Sequence, residues 1–424
     1  MESLITDTST HPVIGVFPNN WEFSRFGREF ERSNERNGDS PIGPMLSVSE
    51  YRGIEVRTNF RDGQLPSEDV SHYRVVRPGQ LVANLMWLDH GGLGVSHFPG
   101  YVSPAYMAFN ISERVYPAFA HHVLRSSVYV DSYKRLGRGV RPNSQMVDSV
   151  DLRQLPFPLP PFETQQRIAD YLDRETAEID DAVADLDKYL ELLEKRRLET
   201  ITSAVEGSSG PGKDKLGSEE FFKPKLGYVV IDIRTGLNPR KNFELDTPGA
   251  ENWYVTVREL DGVSIRTSEA TSKINDQALE MIQKRARIKV GDVLFSGTGT
   301  IGNTALVSLP PSNWGVKEGI YILTPDISLM RSDFLLWILR SRKILSLADE
   351  MSDGSTIKSI PIEKLKRVPI PLPSLSMQKL IVNYLDRETT EIDVLVTESK
   401  KLRGLLLKRR SVLITEVVTG RKQV

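Results

Sequence analysis

The chain has 424 residues, enough for two or more domains, and its 39% hydrophobic and 26% charged content is an ordinary globular balance. The absence of cysteine excludes disulfides, thiolate nucleophiles and cysteine-ligated zinc. No apolar run approaches the ~18 residues of a membrane helix, and Met1-Glu2-Ser3-Leu4 lacks the parts of a signal peptide, so the expected location is cytoplasmic.

Residues 1–154 are expected to form a mixed α+β domain. Arg77-Pro78-Gly79-Gln80-Leu81-Val82 leads towards the glycine-rich Gly91-Gly92-Leu93-Gly94, read as a turn between strands. Six histidines (His11, His72, His90, His97, His121 and His122) show no metal-ligand spacing and are expected at ordinary surface or core positions. The domain ends in a basic, polar, glycine-rich stretch from Lys134 to Gln145. Its Lys134, Arg135, Arg138, Arg141, Asn143 and Gln145 are residue types that bind phosphates and read base edges, although such a stretch is equally an ordinary solvated loop.

A proline-rich entry, Pro158-Leu159-Pro160-Pro161, precedes a helix predicted over 164–206, with Thr164 as N-cap. Its apolar positions include Ile168, Leu172, Ile179, Val183, Leu186, Leu190, Leu193 and Ile201, and Gly207 ends it. The segment from Gly207 to Lys213 nearly matches a phosphate-binding loop. It follows a helix instead of a strand, and Asp214 stands where a metal-binding Ser or Thr is needed, so it reads as a linker.

Residues 208–367 form a second expected α+β domain, with β-type runs at Tyr228–Ile231 and Tyr321–Leu323 and a helical stretch from Phe334 to Arg340. Its Lys289-Val290-Gly291-Asp292-Val293-Leu294 aligns with residues 77–82, and the glycine-rich stretch Gly297–Gly302 follows it. Lys284, Arg285 and Arg287 are candidate DNA contacts, in a pattern that also suits an exposed strand edge. Ser355, Thr356 and Lys358 lie in a second candidate reading loop, at 352–359. A second long helix is predicted over 377–419, with Ser376 as N-cap, apolar positions from Ile381 to Leu413, and Gly420 at its end.

The strongest signal is a repeat. Residues 156–207 align without gaps to 369–420, and 26 of the 52 positions are identical, including Tyr171–Thr176 with Tyr384–Thr389 and Lys195–Arg197 with Lys408–Arg410. A helix of about 43 residues is roughly 65 Å long, so its apolar stripe needs an equally long cover, and the other copy supplies one. Charge is uneven along the chain: −1 over 1–154, −7 over 155–207, +3 over 208–367 and +4 over 368–424, so different segments face different partners. The expected fold is α+β: two mixed α/β globules (1–154 and 208–367) alternating with two long helices (155–207 and 368–424) that pair as an antiparallel coiled coil.

The repeated Asp-Arg-Glu-Thr could offer a carboxylate pair, but on a long amphipathic helix it is read as a partner-contact surface. That surface comprises Tyr171, Asp173, Arg174 and Glu175 and their copies Tyr384, Asp386, Arg387 and Glu388. No nucleophile elbow, Ser-His-Asp pattern or amino-methyltransferase tetrapeptide occurs, so no catalysis, metal or cofactor is called for.

In combination, the Pro-Leu-Pro-Pro-x-x-x-Gln-Gln-x-Ile entry at 158–168, the Leu-Asp-Arg-Glu-Thr and Ile-Asp steps after it, and the tandem architecture resemble the specificity subunits of type I restriction-modification systems. The second copy diverges slightly, with Ser374 at the position of Pro161 and Lys379 at that of Gln166. The resemblance covers essentially the whole chain. It implies that each globule is a target recognition domain reading one half of a bipartite, asymmetric site on double-stranded DNA. It further implies that the helices set the spacing and dock two modification subunits, and that restriction (motor-nuclease) subunits join the assembly. A coiled-coil scaffold with protein-binding globules is the alternative.

Overall fold

The computed structural model describes residues 8–11, 15–49, 53–58, 69–138, 146–211, 213, 221–240, 242–309, 313–347, 350 and 358–424. The chain divides into two compact units: Met1–Leu186 with Lys400–Val424, and Asp187–Ser399. Each division falls inside a long helix, one running Phe162–Val205 and the other Leu375–Val418. The fold is mixed α/β, with two helices of 44 residues, each about 66 Å long.

In the first unit, a four-stranded antiparallel sheet has the spatial order Phe30–Ser33, Tyr106–Ile111, Leu81–Asn84, Leu93–Val95. The second unit repeats that order with Val230–Thr235, Ile320–Pro325, Val293–Ser296 and Thr304–Leu306. The same turn leads into the equivalent inner strands. Gly79 N–H donates to the Ser96 carbonyl (2.8 Å), as Gly291 N–H does to Val307 (2.8 Å). The Gln80 side chain accepts from Arg77 N–H (2.8 Å) where Asp292 accepts from Lys289 N–H (2.8 Å).

The inner strand Val293–Ser296 is buried at all four residues because both of its faces are covered. Side chains alternate across a strand. Val293 and Phe295 therefore join the core of the helix Ser332–Leu339, whereas Leu294 joins Ile288, Ala305 and Val316 on the other face. The first unit does the same: Leu81 and Ala83 pack with Phe119 and Val123 of the helix Pro117–Arg125, and Val82 packs with Leu46 and Ile54.

Each unit also holds parts of both long helices. In the first, Ile179 and Val183 share a core with Leu406, Leu413 and Ile414. In the second, Leu190 and Leu193 pack with Ile392, Leu395 and Val396. The helices begin two residues earlier than predicted. Ser374, not Ser376, caps the second, its hydroxyl accepting from Met377 N–H (3.3 Å), and Thr164 lies within the first turn of the other. Gly207 (φ +80°) and Gly420 (φ +71°) follow the two helix ends in the left-handed region, where glycine carries no Cβ penalty.

The predicted strand at Tyr228–Ile231 is corrected in part. Leu226–Val229 is a helical turn, and the strand starts at Val230. Tyr321–Leu323 lies within the strand Ile320–Pro325, and the Phe334–Arg340 stretch is the helix Ser332–Leu339. Of the linker, Gly212 and Asp214 lie outside the described residues. Among the described residues no helix is long and apolar enough to cross a membrane.

Candidate nucleic-acid interface

The first reading stretch begins on a helix. Ser127–Leu136 carries Lys134 and Arg135 in its last turn, with Lys134 3.5 Å from Asp131 and Arg135 donating to the Ser132 hydroxyl (3.1 Å). Gly137 leaves the helix. Arg138 and Met146 then exchange backbone hydrogen bonds (3.1 Å each), which brings together the described residues on either side of 139–145. The Arg138 guanidinium reaches Asp151 (2.7 Å) and stays 73% exposed, available to an anion at modest cost because the pair is solvated. Arg141, Asn143 and Gln145 lie outside the described residues.

The chain just after this stretch is tied to a second loop. Val147 N–H donates to the Leu85 carbonyl (3.1 Å), within the turn that connects Leu81–Asn84 to Leu93–Val95. That turn is internally braced. Its Leu88 is fully buried, Trp87 O accepts from the amides of His90 and Gly92, and Gly91 is left-handed (φ +70°). Any Cβ on Gly92 would sit 2.5 Å from the Trp87 carbonyl oxygen, so this turn requires glycine there.

Asp89, His90 and Gly91 at the far side of the turn line a cavity of about 440 Å³, together with His121, Arg125, Lys134 and Arg410. Arg125 donates to the Gly91 carbonyl (2.9 Å), fixing the turn to the helix below it. Burial, reinforced by the Arg125 and Arg410 guanidiniums and by the neighbouring His122 and His97, pushes the His121 imidazole well below its ordinary pKa. The ring is neutral, and its Nδ1 accepts the Val95 N–H (3.2 Å).

The second unit is laid out alike. Ile360 N–H donates to the Gly297 carbonyl (2.8 Å), and Gly299 N–H donates to Lys358 O (2.8 Å), so residues 297–299 stand against the end of the second reading stretch. Lys358 is exposed; Ser355 and Thr356 lie outside the described residues. Lys284 and Arg285 end the helix Asp276–Ala286 and do not form a strand edge. Lys284 pairs with Glu280 (2.8 Å) and Arg285 donates to Thr235 O (3.3 Å). Arg287 follows as C-cap, and its alternation with buried Ala286 and Ile288 marks a chain turning into the core. These three cations stand apart in sequence and hydrogen bonding from the 297–299 and 358 pairing.

The repeated helix residues form two near-identical constellations. The Arg174 guanidinium lies over the Tyr171 ring (5.5 Å) and pairs with Glu175 (3.4 Å). Arg387 lies over Tyr384 (5.7 Å) and pairs with Glu388 (3.0 Å). Asp173 and Asp386 are exposed, yet each meets a ring nitrogen from its own unit: His122 Nε2 at 2.7 Å from Asp173, and Trp337 Nε1–H donating to Asp386 at 3.3 Å. Although the residue is exposed, partial desolvation of its carboxyl group, with Asp333 nearby, holds Asp386 above the ordinary carboxylate range, against the lowering effect of the indole N–H.

Sequence reasoning missed His122, Trp337 and Trp87. It also missed two bidentate pairs between the helices, Arg410–Asp180 (2.8 and 3.0 Å) and Arg197–Asp393 (2.5 and 3.3 Å). The signal for the pairs was present, since Asp180 and Arg197 recur as Asp393 and Arg410 in the repeat. Among the described residues no cluster of three or more His, Asp or Glu is placed to hold a metal ion.

Residues 229–402, somewhat under half the chain, match the family model of the type I restriction modification DNA specificity domain. A putative type I restriction enzyme MjaX specificity subunit from Methanocaldococcus jannaschii is 21% identical over 97% of this chain and 96% of its own length. The type I restriction enzyme EcoBI specificity subunit of Escherichia coli is 24% identical over 57% of this chain and 53% of its own. A solved chain from work on complex assembly and conformational transition of the type I R-M system superposes with a TM-score of 0.68 at 18% identity, over 95% of this chain and 98% of that one. It shares the fold.

Proposed function

We propose, from the premise that the chain belongs to the family of type I restriction-modification specificity subunits, that it is the non-catalytic DNA reader of such an enzyme. Residues 1–154 and 208–367 act as target recognition domains, one per half of a bipartite site on double-stranded DNA. Residues 155–207 and 368–424 are the helical spacers. What carries this reading is duplication of the whole reading apparatus. Each unit has the same sheet order and the same turn into its inner strand, and in each the connection that follows that strand is tied by backbone hydrogen bonds to the end of the candidate reading stretch: Val147 to Leu85 in the first, and Ile360 to Gly297 and Gly299 to Lys358 in the second. Two such readers of unlike sequence recognise an asymmetric site.

The helices pair as an antiparallel coiled coil. Support comes from Asp180–Arg410 in the first unit and Arg197–Asp393 in the second, where positions rise in one helix as they fall in the other. Antiparallel pairing of two copies gives two equivalent outward faces. The Tyr171 and Tyr384 constellations are the docking surfaces for two modification subunits, which carry out the methyl transfer; restriction subunits join the same cytoplasmic assembly. The reading residues are Lys134, Arg135, Arg138, Arg141, Asn143 and Gln145 in the first domain and Ser355, Thr356 and Lys358 in the second, with Lys284, Arg285 and Arg287 as phosphate contacts.

Methylome sequencing of the host with and without this gene tests the reading. A two-part motif that loses methylation on deletion is the expected result; an unchanged methylome would overturn it. Purified chain alone is expected to transfer no methyl groups and to cut no DNA.

A further inference from the structure

Large apolar side chains exposed singly are ordinary, but two adjacent ones held on a braced turn form a fixed apolar point on the surface. Trp87 is 51% exposed and Met86 44%, although their neighbours Leu85 and Leu88 are buried as anchors. The turn is no loose segment. Its backbone is closed by the hydrogen bonds to Trp87 O, packed against the glycine at 92, and held from below by Arg125. The indole is therefore presented in a fixed place, beside His90 (ring centroids 5.3 Å apart). Met146, also exposed at 52%, precedes the residue bonded to Leu85.

We propose that Trp87, with Met86, is an apolar wedge by which the first unit, and not the second, contacts the base pairs of its DNA half-site. This rests on the reading of the chain as a DNA specificity subunit and deepens it. Cations gather around the turn, although Arg138, Lys134 and Arg410 are engaged by Asp151, Asp131 and Asp180 and Asp89 shares the cavity. Arg138 is exposed where it bonds to Met146, and Arg125, Lys134 and Arg410 line the cavity on the other side of the turn. Residues 134–145 contain four cations and no acid. Three exposed apolar side chains are far too small an area for a stable protein interface, which needs about 800 Å² per partner. They do suit the contact an indole makes with a thymine methyl or a partly unstacked base step. In the second unit the equivalent turn spans residues 297–303 and, at the offset that pairs Gly79 with Gly291, has Gly299 in the place of Trp87, with open space at its Cβ position. That unit has no wedge on this turn, so the contact is confined to one half-site.

The test uses the full chain assembled with the modification subunits of its own system, and duplexes carrying its methylated motif. Trp87→Ala is expected to weaken binding about tenfold and to lose discrimination at one or two base pairs of a single half-site, with Trp87→Phe between it and wild type. DNA is also expected to shield an indole from acrylamide quenching in the wild-type assembly, and this protection should vanish in Trp87→Phe, which keeps the turn packed. Wild-type affinity, discrimination and quenching in the variants would overturn the wedge while leaving the DNA reader intact. A wild-type assembly without sequence-selective binding would overturn both.

Discussion

Gln378 makes the same three hydrogen bonds as Gln165, 213 positions earlier. Each side-chain oxygen accepts a backbone N–H just ahead of a globule helix, from Tyr116 or Arg331 (2.8 Å each). Each amide donates to two carbonyls: Pro160 (2.9 Å) and Arg114 (3.0 Å), or Pro373 (2.9 Å) and Leu329 (2.8 Å). Both side chains are buried, so one amide closes the joint between helix entry and globule in each unit.

Replacing either glutamine by alanine strands one buried donor and two acceptors. The expected cost is about 2–4 kcal/mol, nearly equal at the two sites. Thermal unfolding of the two single variants checks this. A loss below about 1 kcal/mol at either site would show that the amide is not structural.

Arg410–Asp180 and Arg197–Asp393 are bidentate but partly solvated, Asp180 being 40% and Asp393 51% exposed. Solvent discounts their strength, and each pair is expected to contribute about 0.5–1 kcal/mol of coupling. A double-mutant cycle with alanine at both positions measures it. Charge reversal at Arg410 should be rescued by Asp180→Arg.

His121 gives the first unit a pH dependence. A folded pKa below the unfolded value means that the unfolded chain binds the extra proton first, so stability is complete above the ordinary histidine range near 6.5. It declines as pH falls through that range towards the lower folded pKa. Protonation also breaks the Val95 N–H bond and adds a cation beside Arg125, His122, His97 and Arg410; the carboxylates Asp173 and Asp180 are already engaged by His122 and Arg410. His121→Asn, which retains an acceptor without titrating, should flatten the fall in melting temperature between pH 7.5 and 5.5. An identical fall in variant and wild type would refute this.

If the helices set the DNA spacing, inserting four residues after Leu190 lengthens that helix by about 6 Å and should add one or two base pairs to the unread spacer. Two inserted residues turn the apolar stripe by about 200° and should abolish assembly instead. An unchanged spacer in a functional four-residue variant, read from its methylome, would exclude the ruler.

The helices were legible because their apolar stripe recurs at helical spacing twice, with the same proline entry and glycine exit. The globules were less so: their strands are two to six residues long, too short for alternation to declare itself, and Val293–Ser296 is buried on both faces with no alternation at all. Nor could spacing identify His122 as the partner of Asp173. The two lie 51 residues apart, and in the second unit a tryptophan takes the same place, so chemistry is kept while residue type is not. Lys284 to Arg287 misled because burial of Ala286 and Ile288 at a helix exit imitates a strand.

The first unit takes its last 25 residues from beyond the second, and Leu413, Ile414, Val417 and Val418 of that segment belong to its core. On the ribosome, the second unit, Asp187–Ser399, is complete before the first can close. At synthesis rates of about 5–20 residues per second, the earlier-made globule waits roughly 1–5 s more with that part of its core uncovered. The usual N-terminal-first order of domain folding is inverted, and premature termination anywhere in the final helix would cost the chain its oldest part.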